Sequence, residues 1–303
     1  MINREDIKGI IVPIVTPVDD NEDLDEQRMR KIVNHVIDTG VHGILAFGSN
    51  SEFYMFEDEE MLQALDIIID ETAGRVPVYF GMGAIRTRKA VELAQKAVNR
   101  DIAAVSILQP MFIQPTDKAL YNHFETIAQS IPDTAVLLYN NPGRCGYGIP
   151  KQVISDLAHN VSNIVGIKDS SGDITFTSEI IRLTKDVDFK VLTGKDTVIY
   201  AGMCMGAVGS VCSTANMFGE LVNSIYDLYI EGKYEEALEA QYKLNPIRLS
   251  QDGASFPAAA KDMSNLMGLD VGKSIRPTEA TDGEVLKKMQ EAMYEGGFLD
   301  LVE

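Results

Sequence analysis

Lys168, Tyr139 and the turn Gly48-Ser49-Asn50-Ser51-Glu52 carry the residue types in this chain best suited to covalent and acid–base chemistry. Lys168 closes the mostly apolar run Asn163-Ile164-Val165-Gly166-Ile167 and leads into the polar stretch Asp169-Ser170-Ser171-Gly172-Asp173. A lysine at the end of a buried strand is costly unless its ammonium is solvated or paired, or its amine is neutral. A neutral amine in an apolar cavity can attack a ketone and form a Schiff base. A phenol such as Tyr139 can move protons, and hydroxyl and backbone N–H donors can hold a carboxylate.

Such groups need a scaffold that brings them to one place. Eight short runs of continuous apolarity recur along the chain: Gly9 to Val15, Gly43 to Phe47, Val76 to Gly81, Ala103 to Leu108, Ala135 to Tyr139, Ile164 to Lys168, Lys190 to Thr193 and Gly206 to Cys212. Unbroken rather than alternating apolarity predicts parallel strands buried on both faces. Amphipathic helices fill the gaps. Met29, Ile32, Val33, Val36 and Ile37 fall on one helical face, and Gly40 stops that helix. Glu57 to Glu60 load the next helix's first turn with negative charge, while Thr87 and Thr116 are candidate N-caps for two more.

Eight strand–helix units in series predict a (β/α)8 TIM barrel, and Pro13-Ile14-Val15-Thr16-Pro17 lacks the glycines of a doubly wound nucleotide fold. After about Met217 the strand signal ends. Phe218 to Ile230, Tyr234 to Leu244 and Asp282 to Met293 read as helices, the last with a Thr281/Glu284 capping box. The expected organisation is a barrel over 1–230 and a small C-terminal helical extension over 231–303, packed on the barrel.

Barrel sites form at the C-terminal ends of strands. The Ser49 turn follows the second run, Tyr139 ends the fifth, Lys168 ends the sixth, and Gly194 and Val211 follow or end the last two. Each residue alone has a plain structural reading: an ion-paired lysine, a rim tyrosine, an ordinary turn with Glu52 orienting the loop. Their conjunction at three strand ends favours chemistry.

Composition narrows the partners. Over 303 residues the net charge is −18, which disfavours nucleic acid and anionic membranes, because phosphate binding needs a basic footprint. Cys145, Cys204 and Cys212 form no CxxC and cannot all pair, so free thiols in a reducing compartment are expected. The four histidines lack zinc spacing, Gly81-Met82-Gly83 lacks a third fingerprint glycine, and Gly194-Lys195-Asp196 is not a phosphate loop. No metal, nucleotide or flavin is expected. The opening Met1-Ile2-Asn3-Arg4-Glu5-Asp6 does not read as a leader, and a cytoplasmic location is expected.

The run Gly9 to Pro17, Tyr139-Asn140-Asn141-Pro142 and Gly166-Ile167-Lys168-Asp169 together resemble the dihydrodipicolinate synthase/N-acetylneuraminate lyase family of class I, pyruvate-dependent aldolases, essentially over the whole chain. The resemblance implies that Lys168 is the Schiff-base lysine and Tyr139 the proton-shuttling phenol. It implies that Ser49 and Asn50 hold the pyruvate carboxylate, that the main chain of Val211 lines the pyruvate end, and that Arg144 grips the carboxylate of an aldehyde. It also implies a homotetramer built from dimers. Two departures stand out. Asn50 and Ser51 replace the Thr and Gly of the family's usual turn. Phe112, in Gln109-Pro110-Met111-Phe112, stands where the synthases carry a tyrosine that reaches the neighbouring subunit's site. The broken hydroxyl relay at Phe112 makes a 2-keto-3-deoxy sugar acid, or a similar hydroxylated keto acid, the preferred substrate class. A synthase condensing pyruvate with aspartate semialdehyde is the alternative, supported by Arg144. A catalytically idle ligand-binding barrel is the third reading.

Overall fold

The computed structural model describes residues 4–300; Met1 to Asn3, part of the opening read above for a leader, lie outside them. Eight parallel strands close into a barrel in chain order: β1 Gly9–Pro13, β2 Gly43–Ala46, β3 Val78–Met82, β4 Ala104–Leu108, β5 Ala135–Asn140, β6 Ile164–Asp169, β7 Lys190–Thr193 and β8 Gly209–Val211. Every residue of these strands except Lys190 is buried, as the unbroken apolar runs require.

Helices lie between and after the strands. They are α1 Glu26–Asp38, α2 Asp58–Thr72, α3 Thr87–Ala97, α4 Asp117–Ser130, α5 Pro142–Cys145, α6 Lys151–Asn160, α7 Ile174–Leu183 and α8 Ile199–Cys204. After β8 come α9 Ala215–Ile230, α10 Tyr234–Ser250, α11 Ala258–Leu266 and α12 Gly283–Glu295.

Two apolar layers result. The barrel interior is filled by Ile11, Leu45, Tyr79, Leu137, Leu192 and Val211, among others. A larger layer between strands and helices includes Ile10, Val12, Ile44, Phe80, Val105, Val136 and Ile167. A third cluster, Met217, Phe218, Ile247, Ala259, Met263, Met289 and Met293, fixes the helical extension against α9. Burying each such methionine contributes about 1.5–3 kcal/mol, which holds the extension to the barrel.

Several helix ends depart from expectation. Thr116 does cap α4, accepting from the Ala119 N–H, and Glu60 closes back on the Glu57 N–H at the start of α2. Thr87 does not cap α3. It is the helix's first residue after Arg86, and its hydroxyl instead bonds Nδ1 of buried His123 at 2.9 Å. The Thr281/Glu284 box does not form either. Asp282 precedes α12, and the Thr281 N–H is taken by Asp262 at 2.6 Å. In both cases a cross-element partner outcompetes the local cap.

Two boundaries also shift, and one helix is new. Helix α9 starts at Ala215, with a bend at Phe218. Helix α10 runs through Pro246 to Ser250 rather than stopping at Leu244. Helix α11, alanine-rich and absent from the reading above, follows it.

Candidate active site

Register places the two central side chains. Strands β5 and β6 pair with Tyr139 opposite Lys168 and Asn140 opposite Asp169. Since side chains alternate across a strand, Tyr139 shares the inward face with Leu137 of the interior cluster. Lys168, 4% exposed, sets its Nζ 4.1 Å from the centroid of the Tyr139 ring. The strand ends are locked beside them. Asp169 accepts from Asn140 Nδ2 at 2.8 Å, the Ser171 hydroxyl at 2.9 Å and the Thr177 hydroxyl at 2.8 Å. A Cβ on Gly194, after β7, would lie 2.2 Å from Ser170 Oγ and 3.2 Å from the Asp169 carbonyl oxygen, so a side chain there would make its neighbours shift.

The phenol oxygen sits in a network of donors. Ser49 Oγ and Tyr139 Oη share a hydrogen bond at 3.2 Å, and Asn141 Nδ2 donates to the same oxygen at 2.8 Å. Burial pushes the Tyr139 pKa up, but the charge of Lys168 and hydrogen bonds from Ser49, Asn141 and Ser170 outweigh it, so the phenol ionises below its ordinary range. Asn141 is itself held by Gln109. The Gln109 Oε1 accepts the Asn141 N–H at 3.0 Å, and its amide donates to the Tyr147 carbonyl at 2.9 Å.

The Ser49 turn is tied down from two sides. Asn50 Nδ2 donates to the Pro13 carbonyl at 3.4 Å, and the Ser51 hydroxyl to that of Ile14. Glu52 turns left-handed at φ 55° and buries its carboxylate completely. One oxygen accepts the Ile275 N–H at 2.9 Å, and the other meets Nζ of fully buried Lys261 at 2.7 Å. Lys261 also donates to the Lys273 carbonyl at 2.9 Å. Burial lowers the Lys261 pKa, and Glu52 opposes that by charge and hydrogen bond. Glu52 is structural, as its sequence suggested, but its partners lie in the helical extension.

These elements surround a cavity of about 350 Å³ lined by Ser49, Asn50, Tyr139, Lys168, Arg144 and Val211, six of the seven residues expected there. Phe112 is not among them. It sits at φ 79° in the loop after β4, 88% exposed. Asn141, Ser170, Ser171, Lys195, Arg248 and Phe256 also line the cavity and were not anticipated. Ser170 and Ser171 could have been found as the residues following Lys168. Arg248 and Phe256 come from the extension, which no local pattern connects to a barrel mouth. Arg144, on α5, stacks over the Phe256 ring at 4.7 Å.

The cavity therefore joins an amine, a phenol biased toward ionisation, a hydroxyl and guanidinium groups. That set can condense with a keto acid, move protons at the adduct and hold a carboxylate.

Known proteins bear on this arrangement. Residues 6–295 match the Dihydrodipicolinate synthetase family. A 4-hydroxy-tetrahydrodipicolinate synthase of Methanopyrus kandleri is 32% identical over 264 residues, 87% of each chain. One of Thermus thermophilus is 30% identical over 292 residues, 96% of this chain and 97% of the relative. Among solved structures, a dihydrodipicolinate synthase from Bacillus anthracis superposes with a TM-score of 0.91 at 31% identity, over 97% of this chain and 99% of that one. With agreement over nearly its full length, the chain belongs to the dihydrodipicolinate synthetase family and is a class I, pyruvate-dependent carbon–carbon lyase.

Proposed function

We propose that this enzyme condenses pyruvate with an aldehyde bearing a carboxylate, in the manner of a 4-hydroxy-tetrahydrodipicolinate synthase acting on aspartate semialdehyde. The observation that carries this reading is the cavity that puts Arg144 in the same enclosure as Lys168 and Tyr139. A guanidinium fork suits a carboxylate on the second substrate. The names of the relatives support the same choice over the sugar-acid reading.

In this reading the Lys168 amine, as free base, attacks C2 of pyruvate. Water leaves, giving a protonated imine that acts as an electron sink. Tyr139, left as phenolate once it has protonated the departing water, takes a C3 proton and yields the enamine, whose C3 adds to the aldehyde carbon. Tyr139, hydrogen-bonded to Ser49, then returns that proton to the new alkoxide. Ser49 and Asn50 bind the pyruvate carboxylate, and the Val211 backbone walls off that end. The amino group of the semialdehyde then attacks the imine carbon, closing the ring and expelling the Lys168 amine, whose proton balance is restored by the Tyr139 phenolate.

One feature favours the 2-keto-3-deoxy sugar acid reading as the second choice: Phe112 carries no hydroxyl to extend the relay. A panel of aspartate semialdehyde and several deoxy keto acids separates the two. Turnover is expected with pyruvate plus the semialdehyde; cleavage of deoxy keto acids with no condensation would reverse the order. Three unpaired cysteines fit a reducing, cytoplasmic setting. The exposed Phe112, Ile113, Ile85 and Tyr54 fit association into a homo-oligomer, proposed to be a tetramer.

A further inference from the structure

We infer that Arg248 is a specificity-determining residue that binds, together with Arg144, an anionic group at the far end of the second substrate. This rests on the Schiff-base reading of Lys168 and extends it to a residue of the helical extension. Arg248 lies on α10 in the last turn before Ser250, only 13% of its side chain is exposed, and it lines the same cavity as Lys168. Its Nη1 donates to Asp252 Oδ1 at 2.8 Å, one turn onward, which orients the planar group. Asp252 is 51% exposed, so water screens much of its charge. A guanidinium has five N–H groups, and this contact uses one.

The charge of the lining makes the case. Lys168, Lys195, Arg144 and Arg248 are cationic, and Asp196 is the acidic lining residue. The Asp196 carboxylate is already engaged, accepting from the Thr214 N–H at 2.7 Å and the Thr214 hydroxyl at 2.6 Å. Gathering cations in one enclosure is unfavourable unless a ligand neutralises them. Pyruvate brings one negative charge, which answers the iminium formed on Lys168. The two guanidiniums then remain for the other substrate. An aldehyde ending in a carboxylate supplies acceptors for Arg144 and for the N–H groups of Arg248 beyond its Asp252 pair, whereas a neutral polyhydroxy aldehyde brings no charge to either.

The test uses the full-length enzyme charged with pyruvate and follows loss of the borohydride-trappable adduct on adding aspartate semialdehyde or neutral glyceraldehyde. Wild type is expected to prefer the anionic aldehyde. Arg248→Leu is expected to lower that preference by about tenfold or more, the worth of a charge-assisted hydrogen bond, and Arg248→Lys, which keeps charge but loses the fork, by less. Trapping of pyruvate at Lys168 in each variant shows that it is folded and that the Schiff base still forms. A wild-type preference for glyceraldehyde, reaction with neither aldehyde, or an unchanged ratio in Arg248→Leu would each overturn the role of Arg248. Absence of trapping in wild type would instead overturn the Schiff-base reading beneath it.

Discussion

At Tyr139 two opposed effects meet in one phenol, and the sum decides how it can act. Burial favours the neutral form, while Lys168 and three hydrogen-bonding neighbours favour the anion and win. An Asn141→Leu variant tests this directly, since Asn141 Nδ2 donates to the oxygen at 2.8 Å. Removing a donor destabilises the phenolate, so the pKa should rise and the phenolate absorbance should appear at higher pH. Tyr139→Phe provides the blank, and a midpoint that stays put or falls would contradict the assignment. Lys168 and Tyr139 were legible in the sequence because each closes an apolar run, and a barrel gives strand ends a meaning. Gln109 and Asn141 were not, because their roles depend on hydrogen bonds between loops that adjoin only in the closed barrel. Phe112, where the resemblance implies a lost hydroxyl, stands outside this chain's own cavity.

Among the elements, the turn after β2 is the one most dependent on distant support. Its anchor, Glu52, pairs with Lys261 of α11 where neither side chain meets solvent. Breaking a buried pair from one side leaves an unanswered charge and typically costs about 3–5 kcal/mol. Lys261→Met should therefore lower the denaturant midpoint strongly. The double variant Glu52→Gln/Lys261→Met should recover most of the loss, because no charge is stranded. If Lys261→Met and the double variant were equally unstable, the pairing would not be what holds the turn. The strands were readable from composition, since only residues buried on both faces tolerate continuous apolarity. Helix α11 was not, because Ala258-Ala259-Ala260 gives little amphipathic contrast and its lysine points inward to a carboxylate far away in sequence. Pro246 concealed Arg248 similarly. Its missing N–H ordinarily ends a helix, but here the cluster around Ile247 carries α10 onward.

Taken as a whole, the molecule is strongly acidic but keeps a cationic pocket at one end of a closed barrel. A net charge of −18 says nothing of a local site, where four cations meet one acid. The helical extension completes that site: it contributes Arg248 and Phe256 to the lining and Lys261 to the turn that bears Ser49. Barrel and extension thus line one cavity, with the proposed covalent step at β6. The most direct test of that step is reduction with borohydride in the presence of pyruvate, followed by peptide mapping. The expected result is a single reduced pyruvyl adduct on the peptide bearing Lys168, lost in Lys168→Ala. An adduct on another lysine, or none at all in folded wild-type enzyme, would contradict it.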